Sequence, residues 1–291
     1  MSHPSSFSAS SVPSGPWDLS APSALPAVAA RLRAAGCVFA EDEARLMLSA
    51  ARTPDELAAM VERRAGGLPL EHVLGWAEFR GLRIAVEPGV FVPRRRTEFL
   101  ARRAAALAGR RRGAVVLDLC CGSGAVGAAV AAAVEGVELH AADVDPAAVR
   151  CARRNLAAAG GRVYEGDLYA PLPAALRGRV DVLVANAPYV PTDEMGLLPA
   201  EAREHEPPVA LDGGPDGLGV QRRVIEEAPR WLAPDGQLLV ETGGHQAPRT
   251  ARAVARAGLV PQTVVCEELY ATVVVGSPAG GGGADGGARQ S

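Results

Sequence analysis

Apolar positions over residues 21–67 recur at helical spacing. Leu25, Val28, Ala29 and Leu32 fall on one face. Thr53-Pro54-Asp55-Glu56 has the form of a capping box: a hydroxyl at the cap, proline in the first turn, and an acid three residues after the cap. Leu57, Met60 and Val61 continue that helix as its buried stripe. The pattern predicts a small helical domain over 21–67 that carries no reactive constellation and either packs on, or recognises, another molecule; as a recognition domain it would read the substrate. Residues 68–98 change character. Strand-like runs at Phe79–Val86 and Val90–Val92, broken by the turn dipeptide Pro88-Gly89, predict a linking β-hairpin.

From about Gly113 strands and helices alternate. Val115–Leu119, Val137–Ala142, Arg162–Glu165, Val180–Ala185 and Gln237–Glu241 read as strands. Ala125–Val134, a helix capped by Asp145-Pro146 and ending near Gly160-Gly161, Asp216–Leu232 and Ala247–Ala257 read as helices. Two last runs, Thr263–Cys266 and Thr272–Val275, are separated by a short connection, which predicts a hairpin and one antiparallel strand. This alternation predicts an α/β domain over 99–276 built on a doubly wound, mostly parallel sheet, with ligands at the carboxyl ends of the strands. Residues 1–20 (Ser- and Pro-rich) and 277–291 (Gly-rich) have little to bury and are expected to be disordered.

Composition narrows the chemistry. The 30 basic residues of the 291 are all arginine, so a lysine Schiff base and a P-loop are excluded. Net charge is −3, which argues against nucleic acid held by a general positive field. Cys37, Cys120, Cys121, Cys151 and Cys266 are odd in number and form no CxxC pair, so no metal site and no disulfide framework is expected. No secretory signal is expected in the first 20 residues, and no apolar run reaches bilayer length. A soluble, cytoplasmic monomer with no membrane partner is expected.

The first strand of the alternating region leads into Asp118-Leu119-Cys120-Cys121-Gly122-Ser123-Gly124-Ala125-Val126-Gly127. Glycines at a strand-to-helix turn let backbone approach a ligand. Gly122-x-Gly124-x-x-Gly127 also matches a dinucleotide fingerprint. Asp143 ends the second strand, placed to take both ribose hydroxyls, and Asp167 follows the third, placed for an adenine edge. Either acid alone reads as a cap or turn former; in register with the glycines they mark a nucleoside site. Asp118 before the loop is a poor neighbour for a pyrophosphate but suits a cation, such as the amino acid end and sulfonium of S-adenosylmethionine. Cys121 reads as a small packing residue.

The fourth strand runs into Asn186-Ala187-Pro188-Tyr189. Methylating a planar NH2 group requires acceptors for its two hydrogens while charge develops on nitrogen. The Asn186 side-chain oxygen and the Ala187 carbonyl are candidate acceptors. Pro188 fixes the backbone, and Tyr189 stacks on a planar target or shields the sulfonium. By itself the tetrapeptide also reads as a strand end with a core tyrosine.

These motifs together resemble class I methyltransferases acting on amide or amino nitrogens. Pro69-Leu70-Glu71-His72-Val73-Leu74-Gly75, Ala77-Glu78-Phe79, Pro88-Gly89-Val90-Phe91-Val92-Pro93-Arg94, Glu206-Pro207, Ala210-Leu211-Asp212-Gly213-Gly214 with Asp216-Gly217-Leu218, and Glu241-Thr242-Gly243 extend the likeness to protein-(glutamine-N5) methyltransferases over about residues 22–276. The resemblance implies a seven-stranded class I fold behind a helical domain and hairpin. It implies S-adenosyl-L-methionine as cofactor, and the glutamine of the Gly-Gly-Gln loop of a peptide chain release factor as target. On its motifs, Phe91, Arg94 and Leu168 join Asp118, Cys120, Cys121, Gly122, Ser123, Gly124, Asp143, Asp167 and Asn186 as cofactor-site candidates.

Three departures stand out. Asn-Ala-Pro-Tyr replaces Asn-Pro-Pro-Tyr. Pro93-Arg94-Arg95-Arg96-Thr97-Glu98 replaces Pro-Arg-Pro-Glu-Thr-Glu, and the two added arginines face either an acidic protein partner or solvent. Cys120 replaces the first loop glycine, an exchange that ligand binding tolerates if φ there is negative. An adenine-N6 methyltransferase shares the Asn-x-Pro-Tyr motif but lacks a basic target domain here. A nicotinamide-dependent dehydrogenase leaves Asn186 unexplained, and a degenerate cofactor-binding module is kept open by the departures. His72, His205 and His245 are expected at the surface or site rim, His140 at the core edge.

Overall fold

The computed structural model describes residues 23–279, so the expectations for 1–20 and for the tail beyond Ala279 lie outside the described residues. The chain divides into two compact units between Leu74 and Gly75.

The first unit is helical: α1 (Ala24–Ala34), α2 (Ala40–Ala50), α3 (Pro54–Ala65) and a short α4 (Leu70–Leu74) inside the span expected to link by strands alone. Val28, Ala29, Leu32, Met47, Leu57 and Val61 are buried together. At the start of α3 the Thr53 side chain accepts the Glu56 N–H, while the Glu56 carboxylate reaches back to the Arg52 N–H at 2.8 Å. Within this core, Glu43 and Arg64 form a buried ion pair at 2.6 Å, and Arg64 also donates to the Leu68 carbonyl. His72 is 2% exposed in this unit, which corrects its expected surface position: it sits on the inner side of the short α4.

The second unit opens with an antiparallel hairpin, β1 (Trp76–Phe79) and β2 (Leu82–Ala85). Its turn is Arg80-Gly81, both at positive φ (52° and 75°), the geometry of a two-residue hairpin loop. The expected strand Phe79–Val86 therefore contains the turn itself. Val90–Val92 is not a strand, because the Val92 N–H donates to the Glu206 carboxylate at 3.1 Å instead of to a ladder. A helix, α5 (Thr97–Ala108), follows where no element was expected.

The main sheet comprises β3 (Val115–Leu119), β4 (Glu138–Asp143), β5 (Arg162–Glu165), β6 (Val180–Ala185), β7 (Leu232–Thr242), β8 (Leu259–Cys266) and β9 (Ala271–Pro278). Its order is β5-β4-β3-β6-β7-β9-β8. Five strands from β5 to β7 run parallel, and β9 is antiparallel to both of its neighbours. Ser277 and Pro278 pair within β9, two residues past the expected end of order. The helices α6 (Ala125–Ala133), α7 (Pro146–Leu156), α8 (Ala200–His205), α9 (Gly219–Glu227) and α10 (Ala247–Arg256) complete the unit. Against the expected helix Asp216–Leu232, α9 is shorter. Gly217 at φ 72° and the Leu218 N–H bonded to the Asp216 side chain delay its start, and Leu232 already belongs to β7.

One face of the sheet packs on α5, α6 and α7 through alanines, Phe99, Leu100, Val130 and Leu156. The other packs on α9 and α10 through Val224, Ile225, Trp231 and Val254. With few aromatics to fill space, small side chains let these helices sit close to the sheet. His140 is buried on β4, stacked on Tyr164 with ring centroids 5.9 Å apart. His205 is half-buried and His245 exposed.

Candidate active site

The sheet order reverses between β3 and its neighbours β4 and β6, which opens a crevice at their carboxyl ends. Register brings the chemistry together there. Asp118 pairs with Ala141 and Val184, so Asp118, Asp143 and Asn186 all lie at the ends of adjacent strands.

A cavity of about 320 Å³ occupies the crevice. Phe91, Cys120, Gly122, Asp143, Asp167, Leu168, Asn186 and Pro188 line it, with Pro207 and Ala210 from two of the quoted motifs, and with Val209 and Arg223, which sequence reasoning did not single out. A smaller pocket shares Phe91, Cys120, Gly122 and Asn186 and adds Asp118, Cys121, Ser123 and Thr97. A large, mostly apolar space joined to a small one beside a buried acid fits a nucleoside with an amino acid arm. Gly122 forms the floor at φ 54°, and a Cβ on it would meet no protein atom within 4 Å. Gly124, at φ 78°, does not line either space; it packs on α7, where a Cβ would come within 3.2 Å of Ala152 and Leu156.

Cys120 also adopts a positive φ, 54°, contrary to the negative value that would make its exchange for glycine free. A side chain in this region costs on the order of 1–3 kcal/mol. Leu168, buried against the cavity, sits at φ 50° and adds a second such site. Burial raises the thiol pKa of both Cys120 and Cys121, with the nearby aspartates adding to the shift, so neither is a nucleophile.

Asp118 accepts the Gly127 N–H at 3.0 Å, and burial pushes its carboxyl up to about 7, with Asp143 adding repulsion. Asp143 is raised by burial too; its oxygens accept the N–H groups of Gly122 at 2.8 Å and Asp145 at 3.0 Å. Asp143 lines the cavity, where its carboxylate can also accept from a ligand. Asp167 is exposed and paired with Arg223 at 2.6 Å. Arg94 lines neither space. It bonds Glu206 at 2.5 Å and stacks at 4.8 Å over the ring of Phe91, which lines both spaces. Asn155 on α7 clamps the rim: its Nδ2 donates to the carbonyls of Ser123 (2.8 Å) and Ala85 (2.9 Å).

The tetrapeptide after β6 is braced from behind. Gln246 Nε2 donates to the Tyr189 carbonyl at 2.9 Å, and the Val190 N–H donates to the Leu211 carbonyl. A Cβ on Gly213 would stand 2.8 Å from the Pro188 oxygen, and one on Gly217 would strike the Tyr189 oxygen. The Leu211–Leu218 loop is therefore a backbone mould for Pro188 and Tyr189. Ala187 is buried and Tyr189 half-buried. Burial, helped by Glu241, pushes the Tyr189 phenol up to about 12, so it stays neutral. Arg95 and Arg96 are both exposed; Arg96 lies over the Tyr189 ring at 5.7 Å and 3.6 Å from Glu241, so it borders the site. Asn186 Nδ2 donates to Thr97 Oγ1 at 3.3 Å.

The chain is similar to several known proteins. The model of the methyltransferase small domain family matches residues 81–198. A release factor glutamine methyltransferase of Geobacter sulfurreducens is 40% identical over 70% of this chain and 72% of its own. A 4-amino-L-phenylalanine/4-methylamino-L-phenylalanine methyltransferase of Streptomyces pristinaespiralis is 38% identical over 74% of this chain and 75% of its own. The crystal structure of a methyltransferase from Pyrococcus furiosus shares the fold, at 17% identity and a TM-score of 0.51 over 76% of this chain and 96% of that one. No helix among the described residues is long and apolar enough to cross a membrane. On this identity and coverage, the chain belongs to the release factor glutamine methyltransferase family, enzymes of the class I fold that use S-adenosyl-L-methionine.

Proposed function

We propose that this chain methylates the side-chain amide nitrogen of a glutamine in a peptide chain release factor. The observation that carries the reading is the half-buried side chain of Asn186, with its NH2 bonded to Thr97, at the junction of the two spaces. When bound, S-adenosyl-L-methionine supplies a methyl group made electrophilic by its sulfonium.

The chain's own residues do the rest. Asp143 holds the ribose hydroxyls and Asp167 lies toward the adenine edge. Phe91, Leu168 and the backbone of Cys120, Gly122 and Ser123 shape the nucleoside's bed. Asp118, in the smaller space, balances the positive arm. An amide nitrogen is a weak nucleophile because its lone pair is conjugated. The Asn186 side-chain oxygen and the Ala187 carbonyl accept its two hydrogens, which holds the nitrogen in line and lets charge grow on it. Pro188 fixes that carbonyl. Tyr189, neutral and flat, faces the planar target. No general base is required, since the proton leaves after transfer. The helical unit α1–α4 is assigned to recognition of the protein substrate, and the enzyme works as a cytoplasmic monomer, where release factors are made.

A second reading, methylation of the arylamine of a small amino acid, is favoured by the Streptomyces pristinaespiralis relative. Both acceptors present a conjugated NH2. Incubation with methyl-labelled cofactor and an extract of cells lacking the protein separates the readings. Label in a protein of release-factor size supports the first, and label in 4-amino-L-phenylalanine added to the mixture supports the second. Label in nuclease-sensitive material would replace both by adenine methylation.

A further inference from the structure

We propose that Thr97 and Glu241 are positioning residues that fix which end of the Asn186 side-chain amide faces the acceptor. The inference rests on the reading of Asn186 as the acceptor's hydrogen-bond partner.

Three elements meet here. Ala185 on β6 pairs with Val240 on β7, so Asn186 and Glu241 leave neighbouring strands side by side. Thr97, in the first turn of α5, stands between them. Asn186 Nδ2 donates to Thr97 Oγ1 at 3.3 Å, and Thr97 Oγ1 donates to Glu241 Oε1 at 3.2 Å. Thr97 and Glu241 are 3% and 2% exposed, so water does not compete. Glu241 Oε2 is buried with no hydrogen-bond partner, and the only guanidinium within ion-pair reach among the described residues is Arg96, at 3.6 Å from Oε1. A carboxyl buried with half of its acceptors unused is costly as a structural device. Its engaged oxygen serves Thr97.

The polarity of the chain follows from the count of hydrogens. The threonine hydroxyl has one. Once that hydrogen is given to Glu241, the oxygen can only accept, so Asn186 must turn its NH2 to Thr97 and its oxygen to the cavity. Without Glu241 the hydroxyl is free to donate to Asn186 Oδ1. The amide then turns around and meets the acceptor's NH2 with another NH2, donor against donor.

The test measures steady-state kinetics and cofactor binding on the full chain with Thr97→Val, Thr97→Ser and Glu241→Leu. The Val and Leu variants should lower kcat roughly 10- to 100-fold, the range set by leaving one buried polar group unsatisfied. The fall in kcat should exceed any change in cofactor Kd or acceptor KM, which marks a loss felt mainly in the transition state. Thr97→Ser keeps the oxygen and should recover turnover. An isotope-labelled protein gives a reading that needs no acceptor. The side-chain amide signal of Asn186, assigned by its loss in Asn186→Ala, should exchange slowly in wild type and Thr97→Ser and faster in Thr97→Val. If Glu241→Leu does not fold, the Thr97 pair still decides. Wild-type kcat in Thr97→Val, or an unaltered Asn186 signal, overturns the inference. A wild-type protein inert toward release factors counts against the proposed function instead, and the amide signal still tests the relay.

Discussion

Gln246 Nε2, in the residue before α10, donates to the main-chain oxygen of Tyr189 at 2.9 Å and holds the end of the reaction tetrapeptide from outside the cavity. Gln246 is 1% exposed, and its own Oε1 has no hydrogen-bond partner. Gln246→Leu leaves the Tyr189 carbonyl unpaired in a buried place. It should cost about 1–3 kcal/mol in chemical denaturation. Turnover should fall more than cofactor affinity, because Tyr189 is displaced while the nucleoside bed is untouched. Equal losses in both would assign Gln246 to general packing.

Gly217 carries the same brace by another means. At φ 72° and against the Tyr189 oxygen, it has neither the conformation nor the space for a side chain. Gly217→Ala should destabilise by more than about 1 kcal/mol and reduce kcat, whereas Gly214→Ala, at φ 89° but with open space, should cost only the backbone term. Thermal melting of the two variants makes the comparison.

Asp118 gives a pH dependence with a definite sign. Its carboxyl is raised from 3.8 to about 7 by burial, so between those values the native state binds more protons than the unfolded chain. Stability without cofactor therefore falls as pH rises through that window, and the penalty is complete above it. A cationic ligand favours the ionised form. Affinity for the cofactor should rise with pH below about 7, by up to about tenfold per unit for one proton, and level off above. Asp118→Asn should flatten this rise, weaken binding and make the ligand-free protein more stable at alkaline pH. Glu241, pushed up to about 7 by burial, titrates in both proteins, so the difference between them isolates Asp118. Calorimetry in buffers of different ionisation heat checks the proton release.

The Asp167–Arg223 pair is more than half exposed on both sides, at 54% and 55%. Such pairs are worth about 0–1 kcal/mol. Asp167→Ala should leave the melting temperature unchanged and still weaken cofactor binding. A lowered melting temperature with unchanged affinity would make Asp167 a structural partner of Arg223.

The parallel strands were legible because buried strands are short apolar runs between turn signals: Val180–Ala185 and Arg162–Glu165 match residue for residue. The residues at their ends, Asp118, Asp143 and Asn186, were legible for the same reason, since alternation fixes where each strand stops. The α5 helix was not, because its alanine-rich sequence has strong helix propensity but no start signal; Arg96 at its cap makes no capping hydrogen bond. Thr97 was missed with it. The hairpin was misplaced because Pro88-Gly89 is a stronger turn signal than Arg80-Gly81, though both turn. The strained φ of Cys120 and the orphaned oxygen of Glu241 arise from packing between distant segments, which no local pattern encodes.

The most direct test is methyl transfer to a purified peptide chain release factor, mapped by mass spectrometry, with Asn186→Ala alongside. The account predicts one methyl group on the glutamine of the Gly-Gly-Gln loop with the wild-type enzyme. It predicts none with the variant, whose cofactor affinity should stay close to wild type. Methylation by Asn186→Ala at the wild-type rate, or a release factor left unmodified by an enzyme that methylates 4-amino-L-phenylalanine, would contradict it.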